Sequence, residues 1–149
     1  MIRIESQAWE RILSHAVSAY PEECCGALLG LREKGGQAVT LAVPLENVAA
    51  GPKGSRYVIR PGDLLKMEQL AESQELTSIG IYHSHPDSDA YFSETDLKNS
   101  CPWYSFVVLS IRAGKFSHAR CFRPDADQTE AEPEPLSLPN GDGNQWPRS

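Results

Sequence analysis

Apolar residues recur along the first twenty positions at helical spacing. Trp9, Ile12, Leu13, Ala16 and Tyr20 fall on one face, so a helix is expected from Ser6, which can cap it, to about Tyr20. That face turns to a core, and Pro21 ends the helix. Just ahead of it, residues 2–4 suggest a short strand. Beyond Pro21 the pattern changes: residues 27–31, 39–45 and 57–59 are strand candidates, with Gly35-Gly36 as a hairpin turn between the first two. Pro61 opens a second helix whose Leu64, Met67, Leu70 and Ala71 face inward. The run Ile79-Gly80-Ile81-Tyr82 reads as a buried strand and Ser93 as the start of a short helix. Residues 106–111 and 116–122 read as a last strand pair turning at Ala113-Gly114. These elements predict an α/β fold, a mixed β-sheet flanked by helices.

The elements stop near residue 123, and the composition changes there. From Pro124 to Ser149 there are six acids (Asp125, Asp127, Glu130, Glu132, Glu134, Asp142) against one base, Arg148, and five of the 11 prolines. Residues 1–123 hold 14 acids and 13 bases, so nearly all of the net charge of −6 lies in the last segment. A stretch of that composition is expected to be a disordered, solubilising acidic tail, because it buries too little apolar surface to offset its ordering entropy. The expected organisation is therefore one domain over 1–123 and a tail over 124–149. With 149 residues, 40% of them hydrophobic, there is room for one core. A near-neutral body without a basic stripe argues against nucleic acid as partner. No apolar run approaches membrane length and Met1-Ile2-Arg3-Ile4-Glu5 has no signal-peptide pattern, which predicts no membrane association and a cytoplasmic protein. The four cysteines fit reduced thiols in that compartment, and without a Cys-x-x-Cys pair a cysteine-bound zinc is not expected.

Candidate chemistry is concentrated in residues 83–96. His83 and His85 lie at the end of the buried run, and alternation puts both imidazoles on one face, their Cα atoms about 6.6 Å apart at about 3.3 Å per residue. After a polar turn, Ser93 and Asp96 are three apart and become neighbours in a helical turn. Each fragment also has an ordinary reading: paired histidines as a solvated strand end, Ser-x-x-Asp as a helix cap with an acidic first turn. Together they offer two imidazoles and a carboxylate, a set that leaves one position open on a tetrahedral zinc, as catalytic rather than structural sites do. His15 in the first helix and His118 on the last strand read as structural or surface residues.

The spacing His-x-His, seven residues, Ser, two residues, Asp resembles the JAMM (MPN-plus) zinc metallopeptidase family, matched without a gap by His83, His85, Ser93 and Asp96. The family's distant Glu stands three residues before the first Gly of an apolar strand. In Pro21-Glu22-Glu23-Cys24-Cys25-Gly26 this selects Glu23, with Glu22 as the fallback. Phe92 stands where members commonly carry proline. The resemblance covers about residues 1–123 and implies a cytidine-deaminase-like sheet with the metal at its edge. One zinc per chain would be held by His83, His85 and Asp96, with Glu23 as general acid-base and the Ser93 hydroxyl as oxyanion donor. It further implies cleavage after the C-terminal Gly-Gly of a ubiquitin-like protein. The short loop over 47–55 is similar to small stand-alone bacterial members acting on sulfur-carrier proteins. Two alternatives are a non-catalytic module of the same fold and a non-haem iron enzyme using the same two His and one carboxylate. A nucleoside deaminase would need His-x-Glu and Pro-Cys-x-x-Cys, where this chain has His-Ser-His and Cys101-Pro102.

Overall fold

The helix expected near the N-terminus forms as α1 (Ser6–Ala19), with Ala8, Trp9, Ile12 and Ala16 buried, so the apolar face is the core face. Glu5, not Ser6, occupies the cap position, and no side chain caps it. The structure, a computed structural model, describes residues 1–54 and 56–139 and the backbone of 141 and 142. Before α1 lies β1 (Ile2–Ile4); after it come β2 (Cys25–Glu33), β3 (Gly36–Leu45), α2 (Pro61–Ser73), β4 (Thr77–Pro86), α3 (Glu94–Lys98), β5 (Ser105–Arg112) and β6 (Lys115–Pro124). Three further strands follow: β7 (Ala131–Glu134), β8 (Leu136–Leu138) and β9 (Gly141–Asp142).

The nine strands form one mixed sheet in the order β7-β6-β5-β4-β2-β3-β1-β8-β9. The β4–β5, β1–β3 and β1–β8 pairs are parallel and the remaining pairs antiparallel. Both expected hairpins turn where glycine was read. Gly35 has φ 85°, and the second turn places Ala113 at φ 51° beside Gly114 at φ 79°, the left-handed pair that matches a hairpin's twist. The Ala113 N–H, at that unusual conformation, is held by Asp87 Oδ1 at 2.8 Å. Residues 57–59, expected to be a strand, pair with no strand: the Val58 N–H goes to the Asn47 side chain, and Tyr57 is buried in a side cluster with Ile81 and Phe106.

The disordered tail expected over 124–149 differs from the structure at 131–134, 136–138 and 141–142, which form strands. Glu134 on β7 is opposite Cys121 on β6, and two residues later Leu136 on β8 is opposite Ile2 on β1. The chain thus passes from one side of the sheet to the other at Pro135, whose carbonyl accepts the Ile2 N–H at 2.9 Å. This draws β6 and β1 together around α1. The principal core accordingly joins Trp9 and Ile12 of α1 to Ile2 and Ile4, Val107 and Leu109, Cys121, and Leu136. Trp9 also meets Phe116 of β6 edge-on, 5.4 Å between ring centres. The physical reason for the difference is local: averaged composition hides a short alternating piece, and Pro133 sits on an outer strand where a missing N–H costs no ladder bond. Residues 140 and 143–149 of the predicted tail lie outside the described residues. No helix among the described residues is long and apolar enough to cross a membrane.

Candidate metal centre

Strand β4 is flanked by β2 and β5, so the two histidines stand at the end of the central strands and not at an outer edge, as the resemblance had implied. His83 and His85 share a face through strand alternation, and Ser84 between them faces the other way. There the Ser84 Oγ accepts the Cys24 N–H at 2.9 Å, and the Cys24 carbonyl accepts the Ser84 N–H at 3.1 Å. This reciprocal pair locks β2 against β4 just where Glu23 precedes β2. Glu23 is 5% exposed while Glu22 is exposed to solvent, so of the two carboxylates Glu23 is the one beside the histidines. His83, His85 and Asp96 are likewise buried.

Asp96 is brought in by the N-terminus of α3. Ser93 caps the helix, its Oγ accepting the Asp96 N–H at 2.9 Å while Asp96 Oδ2 accepts the Ser93 N–H at 3.0 Å. The cap reading of Ser-x-x-Asp is therefore met, and the same arrangement brings the Asp96 carboxylate to the histidines. The same Oδ2 faces His83 Nε2 at 3.2 Å and His85 Nε2 at 3.3 Å. Ligands about 2.0–2.1 Å from a tetrahedral ion stand about 3.3–3.4 Å from one another, and the two spacings to Asp96 are close to that separation. His83 Nε2 makes no aligned hydrogen bond despite that approach, and Glu23 Oε1 is buried without a partner. Ligand atoms of Glu23, His83 and His85 all lie within 4.8 Å of one another. Buried and convergent, with the Glu23 and His83 atoms left without partners, this donor set fits a divalent metal.

The surroundings orient each group. His85 Nδ1 is 3.0 Å from the Asp89 carbonyl, which orients the ring so that Nε2 faces Asp96. The ring of Tyr57 stacks on His83, centres 4.5 Å apart. Burial pushes the Glu23 carboxyl up to about 7, with Asp96 adding to the rise and His85 opposing it. Burial lowers His83, whereas in His85 the Asp96 carboxylate outweighs burial and raises it. Asp96 is held well below the usual carboxylate range, because the two histidines and the Ser93 N–H overcome its burial. Glu23, His85, Tyr91, Ser93 and Asp96 line a cavity of about 250 Å³. The Ser93 oxygen accepts the Asp96 N–H, and its hydroxyl keeps a proton to donate elsewhere.

All five residues picked from the sequence are thus brought together. Tyr57, Ser84 and the Asp89 carbonyl were missed. No spacing signals Tyr57, whereas a small polar residue between two histidines on a buried strand was a visible sign that its face meets a neighbour. His15 and His118 stay outside the site: His15 Nδ1 is 2.7 Å from the Tyr82 hydroxyl, and His118 Nε2 accepts the Ala90 N–H at 3.0 Å. None of the four cysteines is in a disulfide.

Comparison with known proteins identifies the family. The family profile described as prokaryotic homologs of the JAB domain matches residues 5–124. A desampylase of Haloferax volcanii is 35% identical over 114 residues, 73% of this chain and 80% of its own. A CysO-cysteine peptidase of Mycobacterium tuberculosis is 30% identical over 113 residues, 75% of each chain. Among solved structures, a protein of Desulfitobacterium hafniense superposes with a TM-score of 0.79 at 26% identity, covering 93% of this chain and 92% of that one. The chain belongs to the prokaryotic JAB-domain family.

Proposed function

We propose that this chain is a zinc metallopeptidase of JAMM type that hydrolyses the peptide or isopeptide bond after the C-terminal Gly-Gly of a ubiquitin-like or sulfur-carrier protein. The observation that carries the reading is the convergence of His83 Nε2 and His85 Nε2 on one Asp96 oxygen, at 3.2 and 3.3 Å, beside the buried Glu23 carboxylate. His83, His85 and Asp96 would hold one zinc per chain. A zinc ion there supplies Lewis-acid chemistry, bringing the pKa of water toward about 7. Glu23 takes the proton from the attacking water and delivers it to the leaving amine, a role suited to a buried carboxylate beside the two histidines. The Ser93 O–H donates to the oxygen that gains charge as the carbonyl becomes tetrahedral. The relatives' names, desampylase and CysO-cysteine peptidase, support the substrate class. We place the protein in the cytoplasm, a setting that suits four cysteines outside any disulfide.

The test is to incubate the protein with sulfur-carrier proteins extended beyond Gly-Gly and weigh the products. Cleavage after the second glycine, abolished by chelation and restored by zinc, is expected. Intact carriers at every metal loading would contradict the reading, and restoration by ferrous iron alone would favour the iron alternative. Ser93→Ala should lower kcat about 10²–10³-fold, or about 2.7–4 kcal/mol of transition-state stabilisation, with zinc retained. Steady-state kinetics with elemental analysis checks it.

A further inference from the structure

The backbone on both sides of Glu23 is held by Asn47 and the loop after it, which carries none of the proposed ligands, the acid-base or the oxyanion donor. The Glu23 N–H donates to the Lys53 carbonyl at 2.6 Å, and the Glu23 carbonyl accepts from the Asn47 side-chain amide at 3.0 Å. That same amide nitrogen donates to the Arg56 carbonyl at 3.2 Å. The Asn47 Oδ1 accepts the N–H groups of Ala49 and Val58, each at 3.1 Å. A carboxamide has two donor protons and one acceptor oxygen with two lone pairs, so all four of its bonding positions are filled. Three of the four bonds tie this one side chain to the two legs of the 48–57 loop. The fourth ties it to Glu23. The loop then closes with one backbone bond, Val48 N–H to the Val58 carbonyl at 2.9 Å.

Two consequences reach the metal centre from this one side chain. Tyr57 lies between Arg56 and Val58, the residues that Asn47 holds on the far leg, and its ring stacks on His83 with centres 4.5 Å apart. Gly54, at the turn of the loop, lines the same cavity as Glu23 and His85. Among the described residues, 57–59 join no strand of the sheet, and the Arg56 side chain adds a bond to the Ala50 carbonyl across the loop.

We propose that Asn47 is a positioning residue, one carboxamide that fixes the Glu23 backbone and closes the 48–57 loop so that the Glu23 carboxylate and the Tyr57 ring reach the histidines in register. The proposal rests on the assignment of Glu23 as the group that moves the proton. Asn47 touches none of His83, His85 and Asp96, so its loss leaves the ligand set intact and displaces Glu23. A displacement on the order of 1 Å costs about 10²-fold in rate.

The test compares Asn47→Ala with the wild type, both loaded with zinc, on a fluorescent peptide whose lysine side chain carries Gly-Gly in isopeptide linkage. The expected result is a fall in kcat of about 10²-fold, with KM, zinc content and Tm close to wild type. Amide hydrogen exchange read in the same proteins should quicken at Glu23, Ala49 and Val58 and stay slow along β4. Asn47→Asp, which keeps the acceptor oxygen but turns a second oxygen on the Glu23 and Arg56 carbonyls, should be no better than alanine. Wild-type kcat in Asn47→Ala, unchanged exchange at the loop amides, or zinc and Tm falling in step with kcat would each overturn the proposal. Full activity in Glu23→Gln would instead refute the role of Glu23, while the exchange data still decide whether Asn47 holds the loop.

Discussion

Glu23→Gln is expected to keep its zinc and lose turnover by about 10²–10⁴-fold, the contribution of a positioned general acid-base. Glutamine has the shape of glutamate, so a site whose carboxylate is 5% exposed suffers no cavity and no clash from the change. It cannot take up or hand on a proton. Glu23 Oε1 has no hydrogen-bond partner, so no structural bond is lost with the charge at that atom. Glu22 supplies the control in the same protein, because it is adjacent in sequence and exposed. Glu22→Gln should leave kcat at the wild-type level. Inactivation by Glu22→Gln with full activity in Glu23→Gln would show that the register of this segment is off by one residue.

The second large effect concerns the last strands. A chain ending at Arg123 is expected to unfold at a temperature lower by on the order of 10 °C, given about 2–4 °C per kcal/mol for chains of this size. The loss has identifiable parts. Leu136, 3% exposed, packs in the core beside Ile2, and removing a buried leucine side chain costs about 2–5 kcal/mol. The Ile2 N–H loses the Pro135 carbonyl, the Ser105 hydroxyl loses the Glu134 carboxylate at 2.7 Å, and β6 loses the pairing of residues 121–124. The N-terminal ammonium, 3.6 Å from Glu134 and half exposed, adds little. Thermal unfolding followed by circular dichroism measures the change, with Leu136→Ala in the full chain expected to reproduce the apolar share. A shortened chain melting with the full one would restore the reading of a dispensable tail.

That contrast shows which features the sequence carries locally. The helix from Ser6, the hairpin turns at Gly35 and Ala113-Gly114, and the buried run before His83 are each set by neighbours within a few positions, and all appear in the fold. The alternation of His83 and His85 and the three-residue step from Ser93 to Asp96 place four side chains by the geometry of their own elements. Selection of Glu23 over Glu22 needed more, since alternation says only that the two point opposite ways; burial decides which faces the histidines. Closure of the sheet by residues 131–138 was not legible, because Leu136 meets Ile2 only after the whole chain has folded between them. The same holds for Tyr57. Its neighbours Val58 and Ile59 have the look of a strand, yet the Val58 N–H is taken by Asn47 and the ring by His83.

The central claim is that His83, His85 and Asp96 hold zinc while Glu23 stands beside it without being needed to hold it. Zinc content by elemental analysis, measured on folded wild type, His83→Ala and Glu23→Gln after equilibration with the ion and removal of excess, tests this most directly. The account predicts one zinc per chain in the wild type and in Glu23→Gln, and loss of the ion in His83→Ala. Full zinc in His83→Ala, or its loss in Glu23→Gln, would contradict it.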